Sequence, residues 1–395
     1  MNHKKLAGAG LRTGKNLLLA ITVVALAFGC RKSNNVNNND LRDFNEVVLV
    51  ANEAKYNPIT LVDPTLINAF GIAWSPNGIA WVNSVGGHVS ELYRADGSFV
   101  KRVNIPTSAI DTTSTTSGLP CGIVFSGGKN FRLPDRSSAA FLFTGFDGVL
   151  SGWSGGDNAQ FLKHPPKASY TGLAIGASGG KNFIYGANFG QKKIDVWDTA
   201  ISRITTMSFK DPTLPAEYSP YNIQAVGDWL FVMYGQLDTV GAGAGHAVAG
   251  AGKGFVSVFN TDGSFVKRFA SQGTLNVPWG VTMAPASFLD DKDMGDDNGG
   301  YGDKSYGGGN NNNKRGNRDP KDPVILVGNF GDGHINVFSQ EGKFLGQLQS
   351  HKHPIFIDGL WALSFNPAAT DQSKLYFTAG PEGETDGLFG YLTKQ

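Results

Sequence analysis

FGIAWSP, residues Phe70–Pro76, returns five times along the chain, as CGIVFS from Cys121, TGLAIG from Thr171, YNIQAV from Tyr221, WGVTMAP from Trp279 and WALSFNP from Trp361. The steps between first residues are 51, 50, 50, 58 and 82. Each copy opens on an aromatic or small residue, usually continues with Gly, and then alternates apolar side chains with the period of a β-strand. A second apolar run follows in every unit (IAWVNS, AFLFTGF, NFIYGANF, WLFVMYG, VILVGNF, KLYFTAG), then a Gly-containing turn, then a third (HVSELYR, VLSGWSG, KIDVWDT, FVSVFNT, HINVFSQ, GLFGYLT). Three units show a fourth run, GSFVKRV from Gly97, GSFVKRF from Gly263 and GKFLGQL from Gly342. The first two of these, ADGSFVKR and TDGSFVKR, are near duplicates.

Short strands separated by turn residues form antiparallel sheets, and four-stranded sheets repeated at about 40 to 50 residues are the signature of a β-propeller. Six units predict six blades. The sixth unit stops at Gln395 after its third strand, while an unattached strand, EVVLVAN at Glu46–Asn52, precedes unit one. Placing that strand on the outer edge of the last blade closes the ring by pairing and leaves no unpaired inner edge. The expected fold is therefore all-β, a six-bladed β-propeller of four-stranded antiparallel blades over residues 44–395, with the last blade closed by the N-terminal strand. A parallel α/β fold would need amphipathic helices between strands, and the sequence offers none.

The long final step contains an insertion, DDKDMGDDNGGYGDKSYGGGNNNNKRGNRDPKD from Asp290 to Asp322, whose Gly, Asn and Asp content and lack of apolar periodicity predict a disordered surface loop. Its aspartates do not fit the D-x-D-x-D-G calcium loop. At the other end of the chain, Lys4, Lys5, Arg12 and Lys15 precede an apolar run from Leu17 to Phe28 and then Gly29-Cys30. This reads as an export signal over residues 1–29, and the run is short for a bilayer span, which takes about 20 apolar residues. ALAFGC resembles a bacterial lipobox, so lipidation of Cys30 and an outer-membrane anchor facing the periplasm or cell surface are expected. Residues 30–43, rich in Asn, read as a flexible tether. With Cys30 so used, Cys121 is left as a lone thiol and no internal disulfide can form. Four of the 34 basic residues and none of the 33 acidic ones precede Cys30, so the remainder carries three more acids than bases, which is no footprint for nucleic acid. A monomer is expected.

LVDPTLINAFGIAWSP (61–76), FTGFDGVLSGW (143–153), YGANFGQKKIDVWD (185–198), FKDPTLPAEYSPYNIQ (209–224), GFVSVFNTDGSFVKRF (254–269), LNVPWGVTMAP (275–285), VGNFGDGHINVF (327–338) and IDGLWALSF (357–365) together resemble an uncharacterised family of exported bacterial β-propeller proteins. More distantly the repeat is similar to NHL-type and gluconolactonase-type six-bladed propellers. The resemblance implies a propeller fold and export, and brings no established catalytic residues.

Candidate chemistry is sparse. GASGG (176–180) has the spacing of a nucleophile elbow around Ser178 but joins two strands instead of a strand and a helix. GAGAGHAVAGAGKG (241–254) lacks the glycine spacing of a phosphate loop. His88 and His334 begin matching third strands, and His351 and His353 flank Lys352, with no partner at a metal-ligand spacing. The turns GFDG, ANFGQ and GNFGDG recur at one place in successive blades. More informative are the residues just before or at the start of each innermost strand, which enters at the rim of the central channel: Asn68, Tyr170, Tyr221, Asn222, Asn276, Trp279, Asp358 and Trp361. Amides and a carboxylate beside aromatics suit a small-ligand pocket. The expected activity is a binding or scaffold module that engages a protein, glycan or small ligand there, without catalysis and without a required cofactor. The alternative is a metal-dependent hydrolase of the lactonase type, with calcium or zinc held by Asp358 together with Asn222 and Asn276.

Overall fold

The computed structural model describes residues 36–108, 117–289 and 322–395, and the fold is built outward from six inner strands. These are Ala69–Trp74, Pro120–Phe125, Tyr170–Ser178, Tyr218–Val226, Pro278–Ala284 and Leu360–Phe365, one for each repeat. Each touches the next, and the sixth touches the first. Blades one to five are four-stranded antiparallel sheets in sequence order. The chain is a six-bladed β-propeller.

The sixth blade is closed as the sequence predicts. Phe44–Ala51 pairs antiparallel with Leu388–Lys394, from Phe44 opposite Lys394 to Ala51 opposite Leu388. A short strand missed in the sequence, Leu61–Val62, adds a parallel edge against Val50 and Ala51, giving this sheet five strands. Ahead of the closing strand, Leu41 is buried and its carbonyl accepts from Gln349 N–H (2.8 Å). Cys30, the signal-like segment 1–29, residues 30–35 of the tether and residues 290–321 of the insertion lie outside the described residues.

The apolar core is divided by the architecture. Six clusters each lie between neighbouring blades, such as Trp81, Leu92 and Val103 against Phe141 and Phe143, and Leu49 and Phe389 against Trp74 and Tyr93. A seventh sits on the axis. The second residue of the repeat explains its preference for Gly. A Cβ at Gly71 would land on the Cys121 carbonyl oxygen, one at Gly122 would lie 2.6 Å from Leu173 N, and one at Gly280 2.6 Å from the Trp361 carbonyl oxygen. The inner strands thus leave no room for a side chain at these glycines; blade six carries the small Ala362 at the same place, and blade four a satisfied polar residue. In blade four that is Asn222, whose Nδ2 donates to the Trp279 carbonyl (2.8 Å).

The near-duplicate segments prove to be matching ion-pair staples in blades one and four, which stand opposite each other in the ring. DPTL occurs at 63–66 and again at 211–214, on the approach to each of these blades. Asp63 accepts from Arg102 Nη2 (2.9 Å) and the Tyr93 hydroxyl (3.0 Å), while Asp211 accepts from Arg268 Nε (2.7 Å) and the Ser257 hydroxyl (2.6 Å). One residue separates their electrostatics. Glu91 and Ser257 occupy the same third-strand position, opposite Arg102 and Arg268. In blade four, burial would raise the Asp211 carboxyl, but its bonds to Arg268, Ser257 and Thr213 outweigh that and hold it at about 2. In blade one, burial pushes Glu91 up to about 7, only partly offset by Arg102 and reinforced by the charge of Asp63.

Two outcomes are expected. Gly71→Ala forces apart two inner strands and should cost about 1–3 kcal/mol, the usual range for overpacking, measured by urea denaturation. Stability should also depend on pH at both staples. Because Asp211 titrates lower when folded, its contribution is present above the ordinary value of 3.8 and is lost as pH falls towards about 2. Because Glu91 titrates higher when folded, stability falls as pH rises from its ordinary 4.5 to about 7, and that decline should be absent in Glu91→Gln.

Candidate functional site

In all six blades the pairing of the first two strands slips at the start of the repeat, between Ala69 and Ile72, Pro120 and Gly122, Tyr170 and Gly172, Pro220 and Asn222, Pro278 and Val281, and Leu360 and Leu363. A bulge re-aims the side chain it carries. Here the bulged residues include the first residue of each repeat, and five of these, Phe70, Cys121, Tyr221, Trp279 and Trp361, gather in the axial cluster. The turns between second and third strands add Phe146, Phe189 and Phe330, one from each of the recurrent Phe-containing turns. Trp361 is sandwiched by Phe70 (centroids 3.8 Å) and Phe330 (3.9 Å), and Trp279 meets Phe70 edge-on (5.1 Å). The indole N–H groups are satisfied, Trp279 donating to the Thr171 carbonyl (2.9 Å) and Trp361 to Asn68 Oδ1 (2.8 Å). An aromatic plug thus fills the axis where the inner strands begin.

Above the plug stands a carboxylate that sequence reasoning missed. Glu384 ends the turn Pro381–Glu384 of blade six, and Glu382, Gly383 and Glu384 all have positive φ (55, 64 and 72°). For the two glutamates that conformation is costly. Asp358 Oδ2 accepts from Glu382 N–H (3.0 Å) and Asn68 Nδ2 donates to Glu384 Oε2 (2.8 Å), so two of the predicted residues hold this turn in place. Burial holds the Glu384 carboxyl above its usual range, with Asn68 and the charge of His246 acting the other way. Burial and then the charge of Glu384 push the Tyr221 phenol up. Burial, Asp147 and Glu384 do the same to the Cys121 thiol. Tyr221 is 6% exposed, and its hydroxyl has no hydrogen-bond partner among the described residues. Asp147 Oδ1 accepts from Val149 N–H (3.3 Å), its Oδ2 is buried without a partner, and burial raises its carboxyl.

The other predicted residues divide by location. Tyr221, Trp279 and Trp361 meet in the plug, with Asn68 and Asn222 beside it. Tyr170 points into the packing between blades two and three, where its hydroxyl donates to Asp195 (2.9 Å). Asn276 lies against blade five's turn and the blade-four loop, accepting from Gly250 N–H (2.7 Å) and donating to Asp332 (3.2 Å). Among the described residues no three His, Cys, Asp or Glu side chains gather as a metal site. His88 and His334 bond through Nδ1 to the carbonyls of Gly118 (2.9 Å) and Ile355 (2.8 Å), tying third strands to the connections beside them. Ser178 sits in a hairpin, paired with Lys181 across Gly179 and Gly180. Beyond the plug the inner strands leave a cavity of ≈ 420 Å³, lined by residues such as Ile72, Ile123, Leu173, Ile223, Gln224 and Ser364.

No protein-family model matches the sequence. Among solved structures, virginiamycin B lyase from Staphylococcus aureus aligns over 89% of this chain and 99% of its own, at 12% identity and a TM-score of 0.46. A chain of the nidogen/laminin complex aligns over 74% of this chain and 82% of its own, at 12% identity and a TM-score of 0.42. In sequence, Uncharacterized protein L690 of Acanthamoeba polyphaga mimivirus is 36% identical over 233 residues, 57% of this chain, which spans about half (51%) of that relative. Uncharacterized protein R648 of the same virus is 30% identical over 362 residues, 88% of this chain and 79% of its own length. With an alignment that runs through nearly the whole ring, the chain belongs to the family of the mimivirus protein R648.

Proposed function

We propose that this propeller is a binding or scaffold module without catalysis, and that it engages its ligand on the axial face over the aromatic plug. The observation that carries this reading is the turn at Glu382–Glu384. Three successive left-handed residues, two of them with side chains, form an unfavourable way to connect two strands, and backbone strain of this kind concentrates where a side chain must be presented. What it presents is a carboxylate with one oxygen anchored by Asn68 and the other without a partner among the described residues. The amides and the carboxylate that a lactonase-type metal site would draw on have internal duties: Asn222 bonds to Trp279, Asn276 to Gly250 and Asp332, and Asp358 to Glu382.

The same proposal includes location. Lys4, Lys5, Arg12 and Lys15, the apolar run to Phe28 and Gly29-Cys30 support export and a lipid anchor in a bacterial envelope, with the Asn-rich segment after Cys30 as spacer. A protein or glycan partner would then be met at the membrane.

Thermal shift against a panel of metabolites and oligosaccharides tests the reading. Wild type should be stabilised by at least one class of compound, and Glu384→Ala should lose that response. Turnover of lactones or esters that requires stoichiometric calcium or zinc, with both metal and activity lost in Asp358→Ala, would replace it with the hydrolase. In a bacterial host, labelled palmitate should be incorporated by wild type and not by Cys30→Ala.

A further inference from the structure

We infer that the channel behind the aromatic plug is a second binding site, taking a neutral and largely apolar small molecule through the mouth opposite the Glu382–Glu384 turn. This site goes beyond the axial reading above, and only its orientation to a bilayer rests on the lipid anchor. The space is the cavity of ≈ 420 Å³ between the inner strands, within the size range of small-molecule pockets. Trp279 and Asn222 form its floor at the plug, and Ile72, Ile123, Leu173 and Ile223 its walls. Phe365 and the exposed Ala225 and Pro367 lie at the far end, where the inner strands finish, so the channel is blind at the plug and open there.

The lining selects the guest. No Asp, Glu, Lys, Arg or His is among the described residues around the cavity, so nothing there would compensate a charge taken out of water. Aliphatic walls likewise offer a sugar few partners for its hydroxyls. The lining still has polar groups. Each inner strand is the edge strand of its sheet, so its unpaired backbone edge faces the axis. Gln224 adds a half-buried amide with no hydrogen bond to a described residue, whereas the Ser364 hydroxyl is used between Trp74 Nε1 (3.1 Å) and the Phe365 carbonyl (3.3 Å). A molecule with an apolar body and one or two neutral polar groups displaces water from the walls and replaces its hydrogen bonds at the strand edges.

The position of the mouth is the second, independent observation. Phe365, Leu375, Leu392 and Glu46 stand in one row across blade six, so the closing strand enters the ring at the level of the mouth. Phe288 links the two, 5.1 Å from Phe365 and 5.1 Å from Phe44 between ring centroids. Trp229 and Met283, both exposed, stand at the same ends of blades four and five. The chain that follows Cys30 therefore joins the ring on this apolar face, and a lipid on Cys30 would tether the ring by it, beside the bilayer into which neutral apolar molecules partition.

Fluorescence titration of the full-length protein with N-phenyl-1-naphthylamine, and with its sulfonated analogue 8-anilinonaphthalene-1-sulfonate, tests this. The neutral probe should bind one per chain, and the anionic one at least about tenfold more weakly, equivalent to about 1.4 kcal/mol. Ala225→Trp and Pro367→Trp each place a ring at the mouth on an exposed position, so the melting temperature should hold while affinity for the neutral probe falls about tenfold. Glu384→Ala, on the far side of the plug, should leave that affinity unchanged. Absence of binding by the neutral probe, equal affinity for the two probes, or undiminished affinity in both mouth variants overturns the inference. Binding lost in Glu384→Ala and kept in the mouth variants places the probe over the plug, which overturns the channel site and supports the axial reading. Binding that follows the mouth alone leaves the axial reading to its own test.

Discussion

Pairing between Phe44–Ala51 and Leu388–Lys394 is the constraint on which the rest of the molecule depends. Six blades in a row would leave the outer faces of the first and last uncovered. Once this strand pair forms, Leu49, Val50, Tyr376 and Phe389 of blade six meet Trp74, Val82 and Tyr93 of blade one, and the last of the inter-blade clusters is complete. The entropic cost of bringing together segments so far apart grows only with the logarithm of the loop. Asp386 then locks the seam, accepting from Asn52 Nδ2 (2.9 Å) and the Tyr56 hydroxyl (2.6 Å) and pairing with Lys55 (2.6 Å). Burial would raise the Asp386 carboxyl, but these partners keep it below its ordinary range. The closing strand does more than tidy an edge, because the axial face exists only when all six inner strands are drawn around one centre.

Most of that architecture was legible in the sequence because a propeller repeats itself. The inner strand, its Gly and its opening aromatic return at a nearly constant step, and each has a single physical cause: strand alternation, close approach to the next inner strand, and the axial bulge. Elements without a repeated cause were not legible. Gln160–Lys163 and Arg203–Ile204, the outer strands of blades two and three, are two to four residues long and at most half-buried, so no apolar alternation marks them. Leu61–Val62 is two residues long, with Leu61 packed against the core between blades six and one, too short a segment to show alternation.

The bulge also explains which site residues could be read. Sequence position places Tyr170 and Tyr221 at equivalent rims, yet Tyr170 stands in regular pairing opposite Asn188, one residue before the slip, and so faces the neighbouring blade. Tyr221 is itself the slipped residue and turns to the axis. A one-residue offset decides between core and site, and spacing alone does not report it. Glu384 was hidden for a different reason. Its turn has no counterpart among the other five blades, and only the left-handed backbone of Glu382–Glu384 distinguishes it from an ordinary acidic loop.

What remains at the centre is an imbalance in hydrogen bonding. The axial amides and the indoles have been matched to one another or to the backbone: Trp361 to Asn68, Asn68 to Glu384, Trp279 to Thr171, Asn222 to Trp279. A network of this kind fixes orientations and excludes water. The Glu384 and Tyr221 oxygens stand at its edge, one as acceptor and the other as donor or acceptor, with internal partners for neither Oε1 nor the hydroxyl among the described residues. Neither atom is among the described buried polar atoms that lack a partner, so solvent matches this edge where the protein itself matches the rest of the axis.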